Sequence, residues 1–283
     1  MIKGRIVRGT IVALIVSFVV VARATAETEA HCRDILQQAL ADKSPDTRKR
    51  AVVALSLAGE RFLTPLQGML QDKDVEVRLA TVASLTELKS QDAVAALRRA
   101  LSDEAPEVSF AAAKALWGFR DTAGKEILLA VLDGEVKTSS GVVSRKRREA
   151  VRMFQTPRKL LLFALQRSIG FAPVPFLGVG VASMQGLLND PGTSERAAAA
   201  LMLANEKDPA TLKALRDALT DKDWSVRAAA VHALTLRRDP QLQADLMPLL
   251  DDAHEAVRLR AAAGYLSMSV RPKRSDDNAR EAQ

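Results

Sequence analysis

The residues able to do chemistry in this 283-residue chain are few and scattered. Its histidines, His31, His232 and His254, are widely separated in sequence, and neither a His-Glu-x-x-His helix nor a Cys-x-x-Cys pair occurs, so zinc-hydrolase chemistry has no ligand set. His254-Glu255 is one isolated pair, which capping and solvation at the start of a helix explain. Gly178-Val-Gly180 lacks the third glycine of a dinucleotide fingerprint and has no strand before it. No nucleophile elbow or phosphate loop is present. Cys32 is the only cysteine, which forbids an intrachain disulfide, and it reads as a small half-buried residue on a first helix. These absences point to an activity that binds and does not catalyse, with no cofactor and no metal.

Two stretches could make external contacts. Arg145, Lys146, Arg147, Arg148, Arg152, Arg158 and Lys159 form a basic run against a single Glu149. It reads as a solvated helix face or as a contact with anionic lipid. From Leu160 to Leu188 the only charge is Arg167, and within this stretch Phe171, Pro173, Val174, Pro175, Phe176 and Leu177 lead into Gly178 and Gly180. The prolines forbid a regular helix, and such a loop cannot bury its own apolar groups. Either the fold covers it or a partner does. The partner-binding candidates are therefore Phe171, Pro173, Val174, Pro175, Phe176 and Leu177, together with Arg145, Lys146, Arg147 and Arg148.

The elements that would position these residues follow from a repeat with a period near 31 residues. Aspartates recur at Asp42, Asp72, Asp103, Asp190, Asp221 and Asp252, and an arginine follows six residues later at Arg48, Arg78, Arg196, Arg227 and Arg258. A large residue comes seven further on, at Leu55, Leu85, Leu203, Leu234 and Tyr265, while the unit of Asp103 has Ser109 in the arginine place. Leu212, Leu215 and Leu219 share one helical face, and Val226, Ala230, Ala233 and Leu234 share another, which predicts two antiparallel helices per unit. One pair buries too little apolar surface to offset its chain entropy, so the units must stack. The aspartate is expected to accept amides in the turn, and the arginine to reach a turn aspartate in its own or the next unit. Asp72, Arg78, Asp221, Arg227, Asp252 and Arg258 are accordingly structural residues. Trp117 and Trp224 are expected to pack at unit junctions.

The pattern Asp-x4-Val-Arg-x2-Ala-x3-Leu, repeated from Ala30 to about Ser269, resembles bacterial HEAT repeats of the type first grouped with phycobilisome lyase subunits. The resemblance implies an all-α fold, a right-handed α-solenoid of stacked antiparallel helix pairs with a concave ligand face, and a binding or scaffolding role. A chromophore-lyase-like activity is a further reading of the same likeness, but the single cysteine gives it no support. The pattern lapses between residues 134 and 188, an irregular apolar segment read as two modified units. Here Val142–Phe154 forms one helix, and a second, capped by Thr156 with Pro157 at its first position, ends at Gly170.

Residues 1–26 read as a cleavable signal peptide. Lys3, Arg5 and Arg8 precede an apolar run from Ile11 to Ala22, and Ala24-Thr25-Ala26 offers the small residues a signal peptidase reads, so cleavage is expected before Glu27. Removing this leader takes the formal charge from +7 to +3, so the basic balance is largely a leader effect. Export, the low mature charge and 4% aromatic content argue against nucleic acid as a partner. The expected organisation is a leader, a repeat solenoid over 27–269 and a disordered polar tail over 270–283. The expected place is the periplasm or the exterior. The expected partner is a protein or peptide, with peripheral membrane contact as the alternative.

Overall fold

The computed structural model describes residues 23–132, Leu187 and residues 192–269, and every described element is helical. Helix α1 covers residues 23–40 and runs through the predicted cleavage point without a break. It is followed by α2 (Pro45–Ala58), α3 (Leu63–Met69), α4 (Val75–Leu88), α5 (Gln91–Ala100), α6 (Pro106–Gly118) and α7 (Thr122–Leu132). After the undescribed segment come α8 (Glu195–Met202), α9 (Pro209–Asp217), α10 (Trp224–Leu236), the short α11 (Gln243–Leu246) and α12 (Glu255–Met268). The all-α repeat architecture expected from the sequence is what the structure has. The tail from residue 270, the basic run and the apolar loop lie outside the described residues.

Every described second helix but α6, which starts from Ala105, begins with a polar cap, because its first amides have no partner within the helix. Asp74 accepts the amides of Glu76 and Val77 at 2.9 and 3.2 Å, Asp223 accepts that of Ser225 at 2.9 Å, and Ser44 and Ser194 cap α2 and α8. The recurring turn aspartate sits two residues earlier than the cap. Asp72, Asp103, Asp221 and Asp252 each accept the amide two residues on, at 2.8–2.9 Å, which folds the turn that feeds the helix. The other end of the helix is also periodic. Positive φ recurs eleven residues after the arginine place, at Gly59, Lys89, Arg120 and Arg238. Only the first of these is glycine, so three units reverse the chain through a residue with a side-chain cost.

The stacking order departs from chain order. Second helices pack in the sequence α8, α10, α12, α2, α4, α6, so the last repeat lies against the first. The core runs through this junction without interruption: Val52, Ala54 and Leu55 of α2 and Ala262, Tyr265 and Leu266 of α12 are all buried. Cys32, on α1, is fully buried here, deeper than the half-buried place its sequence suggests, and burial pushes its thiol pKa up to about 12.

The middle of the stack is covered on nearly all sides. Residues 228–235 of α10, 259–266 of α12 and 51–58 of α2 are buried without a break, whereas α6 and α8 keep exposed faces. A helix buried all round must be apolar and slim all round, which accounts for the alanine runs at 228–230 and 261–263. Gly264 belongs to the same packing, since a Cβ there would collide with the side chains of Thr235 and Leu246. Gly124 has the tightest backbone contact: a Cβ would stand 2.5 Å from the Ala113 carbonyl oxygen and 2.6 Å from the Trp117 nitrogen. Gly124→Ala should therefore push α7 off α6 and cost about 1–3 kcal/mol, read as a lower urea midpoint with an unchanged slope.

Candidate functional site

The turn aspartates and the helix arginines assemble into a ladder along one edge of the stack. Arg48 donates through Nε and Nη2 to both carboxylate oxygens of Asp72, each at 2.7 Å, and its Nη1 donates to the Asp42 and Lys43 carbonyls of its own turn. Arg78 repeats this with Asp103 at 2.9 and 3.0 Å, and Arg227 with Asp252 at 2.7 and 2.8 Å. Arg196 reaches both oxygens of Asp221 end-on, through Nη1 and Nη2, from a more exposed position. Arg48, Arg78 and Arg227 thus each serve their own turn and the next unit at once. Planar guanidinium suits this bidentate task and an ammonium would not.

Charge in the ladder is mutually compensated. The Arg48 guanidinium holds the Asp72 carboxyl below the usual carboxylate range, against the opposing effect of burial. The Asp103, Asp72 and Asp252 partners in turn raise Arg78, Arg48 and Arg227. An open groove over the turns joining α3 to α4 and α5 to α6, about 480 Å³, is lined by Lys73, Arg78, Arg99, Asp103 and Glu104. Its best-placed charges, Arg78 and Asp103, are already spent on each other, so it offers no preformed ligand set.

Ser109 ends the regular ladder at α6. Its hydroxyl donates to the Leu101 carbonyl at 2.7 Å, and Arg98 on α5 reaches Asp121 at the start of α7 instead. Trp224 behaves as a junction residue: its ring stacks on His254 with centroids 3.8 Å apart, and His254 caps α12 by accepting the Ala256 amide through Nδ1. Trp117 departs from expectation, being 51% exposed. It stands in the place that Thr235 fills on α10, and Thr235 meets Gly264 of the next second helix, so Trp117 faces the side on which no further second helix lies among the described residues. On α8, the first described helix at the other side, Met202 is 77% exposed, in the place where Gly264 and Ser84 meet the preceding second helix.

Sequence reasoning missed the polar pair inside the core. His232 is fully buried and neither ring nitrogen has a hydrogen-bond partner among the described residues. Arg260, 1% exposed on the adjacent α12, donates to the Ala256 carbonyl at 3.1 Å. Desolvation, with the Arg260 charge second, pushes the His232 pKa down to about 3, so the ring is neutral. The signal for this pair is a histidine in an alanine-rich helix, a pattern indistinguishable from an exposed site until the neighbours are known.

Among the described residues no group of three or more His, Cys, Asp or Glu is placed to hold a metal ion, and no helix is long and apolar enough to cross a membrane. Phe171, Pro173, Val174, Pro175, Phe176, Leu177 and Arg145 to Arg148 lie outside the described residues. A family model described as HEAT repeats matches residues 63–140 and 182–267, more than half of the chain. No curated protein matches it. Repeats of this kind commonly mediate protein–protein contact, presenting extended surfaces built from successive units.

Proposed function

The chain belongs to the HEAT-repeat family, and from that premise we propose that it is an exported, non-catalytic scaffold that recognises a protein or peptide partner. The observation that carries this reading is the use to which the ladder puts its ionisable groups. Arg48, Arg78, Arg196 and Arg227 are bound to Asp72, Asp103, Asp221 and Asp252, which holds units together and leaves those groups unavailable for acid–base work. Contact with the partner is assigned to Phe171, Pro173, Val174, Pro175, Phe176 and Leu177, because apolar groups in a Pro/Gly loop need a cover. Export rests on the charged start, the apolar run and the Ala24-Thr25-Ala26 site, and a mature chain beginning at Glu27, read by intact mass, is its direct check.

A photo-crosslinking residue at Phe176 tests the contact. A discrete protein adduct that disappears when Phe171 and Val174 are changed to serine supports the reading. Absence of any adduct, with thermal stability collapsing when residues 171–180 are replaced by a Gly/Ser turn, makes the loop part of the core and removes the site. A second reading, a membrane-surface adapter, draws on the closeness in sequence of Arg145–Arg148 to this loop. It predicts salt-sensitive sedimentation with anionic vesicles that is lost when the four basic residues are neutralised.

A further inference from the structure

Every junction between second helices described here carries an arginine–aspartate rung except the one where the last repeat meets the first. At α8–α10, α10–α12, α2–α4 and α4–α6 the rungs are Arg196–Asp221, Arg227–Asp252, Arg48–Asp72 and Arg78–Asp103. At α12–α2 both halves of a rung are present and unjoined. Arg258 donates through Nη1 to the Asp252 and Ala253 carbonyls at 2.7 and 3.0 Å, the same own-turn anchoring that orients Arg48, Arg78 and Arg227. Its Nε and Nη2, which in Arg48, Arg78 and Arg227 grip the next aspartate, meet no carboxylate among the described residues. Asp42 is folded like the other turn aspartates, accepting the Ser44 amide at 2.7 Å, yet it is exposed where Asp72, Asp103 and Asp252 are nearly buried.

The present contact at this seam is poorly satisfied. Glu255, at the start of α12, accepts from Thr47 at 3.3 Å and stands 3.7 Å from Arg50, while its other carboxylate oxygen is buried with no partner among the described residues. His31 and Asp251 add a long, exposed pair at 4.0 Å. These contacts also place the starts of α12 and α2 side by side, the arrangement a rung requires. In an open linear stack Arg258 would have no following aspartate and Asp42 no preceding arginine, and each would keep only the contacts to its own turn.

We infer that Arg258 and Asp42 form a latch: a fifth rung, open in this structure, that closes the repeat stack on itself when α12 shifts along α2. Closing it trades the long Glu255 contacts for a forked pair and fixes the angle between the two halves of the stack. The opening and closing of the seam then sets the curvature of the surface that the halves share.

Hydrogen exchange on the full chain tests the latch. Asp42→Asn and Arg258→Gln should each speed exchange of the amides at 52–58 and 259–266 by about tenfold, the scale of one charge-assisted pair. The double variant should be no faster than Arg258→Gln alone, because that change already opens the rung along with the own-turn bonds of Arg258. An Asp42→Asn chain that exchanges as the parent does, or effects that multiply in the double variant, overturn the proposal. Arg258→Lys gives a second readout that does not depend on destabilising the fold. Zero-length carbodiimide coupling should join the introduced amine to Asp42, and coupling only elsewhere, or none, contradicts a closed rung.

Discussion

Arg78→Ala is expected to lower the unfolding free energy by roughly 2–4 kcal/mol, between the small worth of an exposed ion pair and the cost of orphaning a deeply buried one. The side chains of Arg78 and Asp103 are 5% and 8% exposed, so removing the guanidinium leaves a nearly buried carboxylate with only the Ala105 amide. It also frees the Asp72 carbonyl that Arg78 holds at 2.8 Å, so one substitution loosens the turn of its own unit and the grip on the next. Urea titration with a double-mutant cycle reads both parts. Arg78→Met combined with Asp103→Leu should cost less than Arg78→Ala alone, because the pair is then removed without stranding a charge. A single-variant loss below 1 kcal/mol would mean that water repairs the break and that the ladder is ornamental.

Acid should destabilise the fold well before carboxylates titrate, and His232 is the cause. Its folded pKa of about 3 lies below the 6.5 of an unperturbed imidazole, so below pH 6.5 the unfolded chain takes up a proton that the folded chain refuses. Stability is then expected to fall by about 1.4 kcal/mol for each pH unit between 6.5 and the folded value. The ladder aspartates work in a lower window. Asp72, held below its ordinary value, contributes stability that is present above pH 4 and lost as pH drops toward its depressed folded pKa. His232→Leu, which copies the buried Leu201 found at the same place of α8, should remove the pH dependence between 6.5 and 4 and leave the lower one intact. Melting temperature against pH distinguishes the two: a His232→Leu profile parallel to the parent across that range would show that the ring is not neutral and buried.

Much of this fold is written in local sequence. The 31-residue spacing of aspartates and arginines is legible because a turn and a helix start impose local demands, and the same demands recur in every unit. The double use of each arginine is half legible: spacing places it near turns, but only the packed neighbour selects the next aspartate over its own. The seam between α12 and α2 has no local signature. Which helix covers the last apolar face is decided by tertiary packing, and Val52, Leu55, Ala262 and Leu266 would look the same against any partner. His232 and Arg260 illustrate the same limit, since burial of a polar side chain depends on the elements that close over it. The residues proposed to meet a partner are known from composition alone, as apolar groups without charges to solvate them, and their positions lie outside the described residues.

The order of the stack is the claim on which the rest depends, and a distance measured in the full chain tests it most directly. Lys43 and Ala253 are exposed in the turns before α2 and α12, and each can be changed to cysteine and spin-labelled, while the buried native Cys32, with its thiol pKa near 12, should not react. Pulsed electron–electron resonance should find the two backbones about one helix spacing apart, roughly 8–10 Å plus the reach of the labels. A separation several times larger, placing the first and last repeats at opposite ends of a linear solenoid, would contradict both the seam and the latch drawn from it.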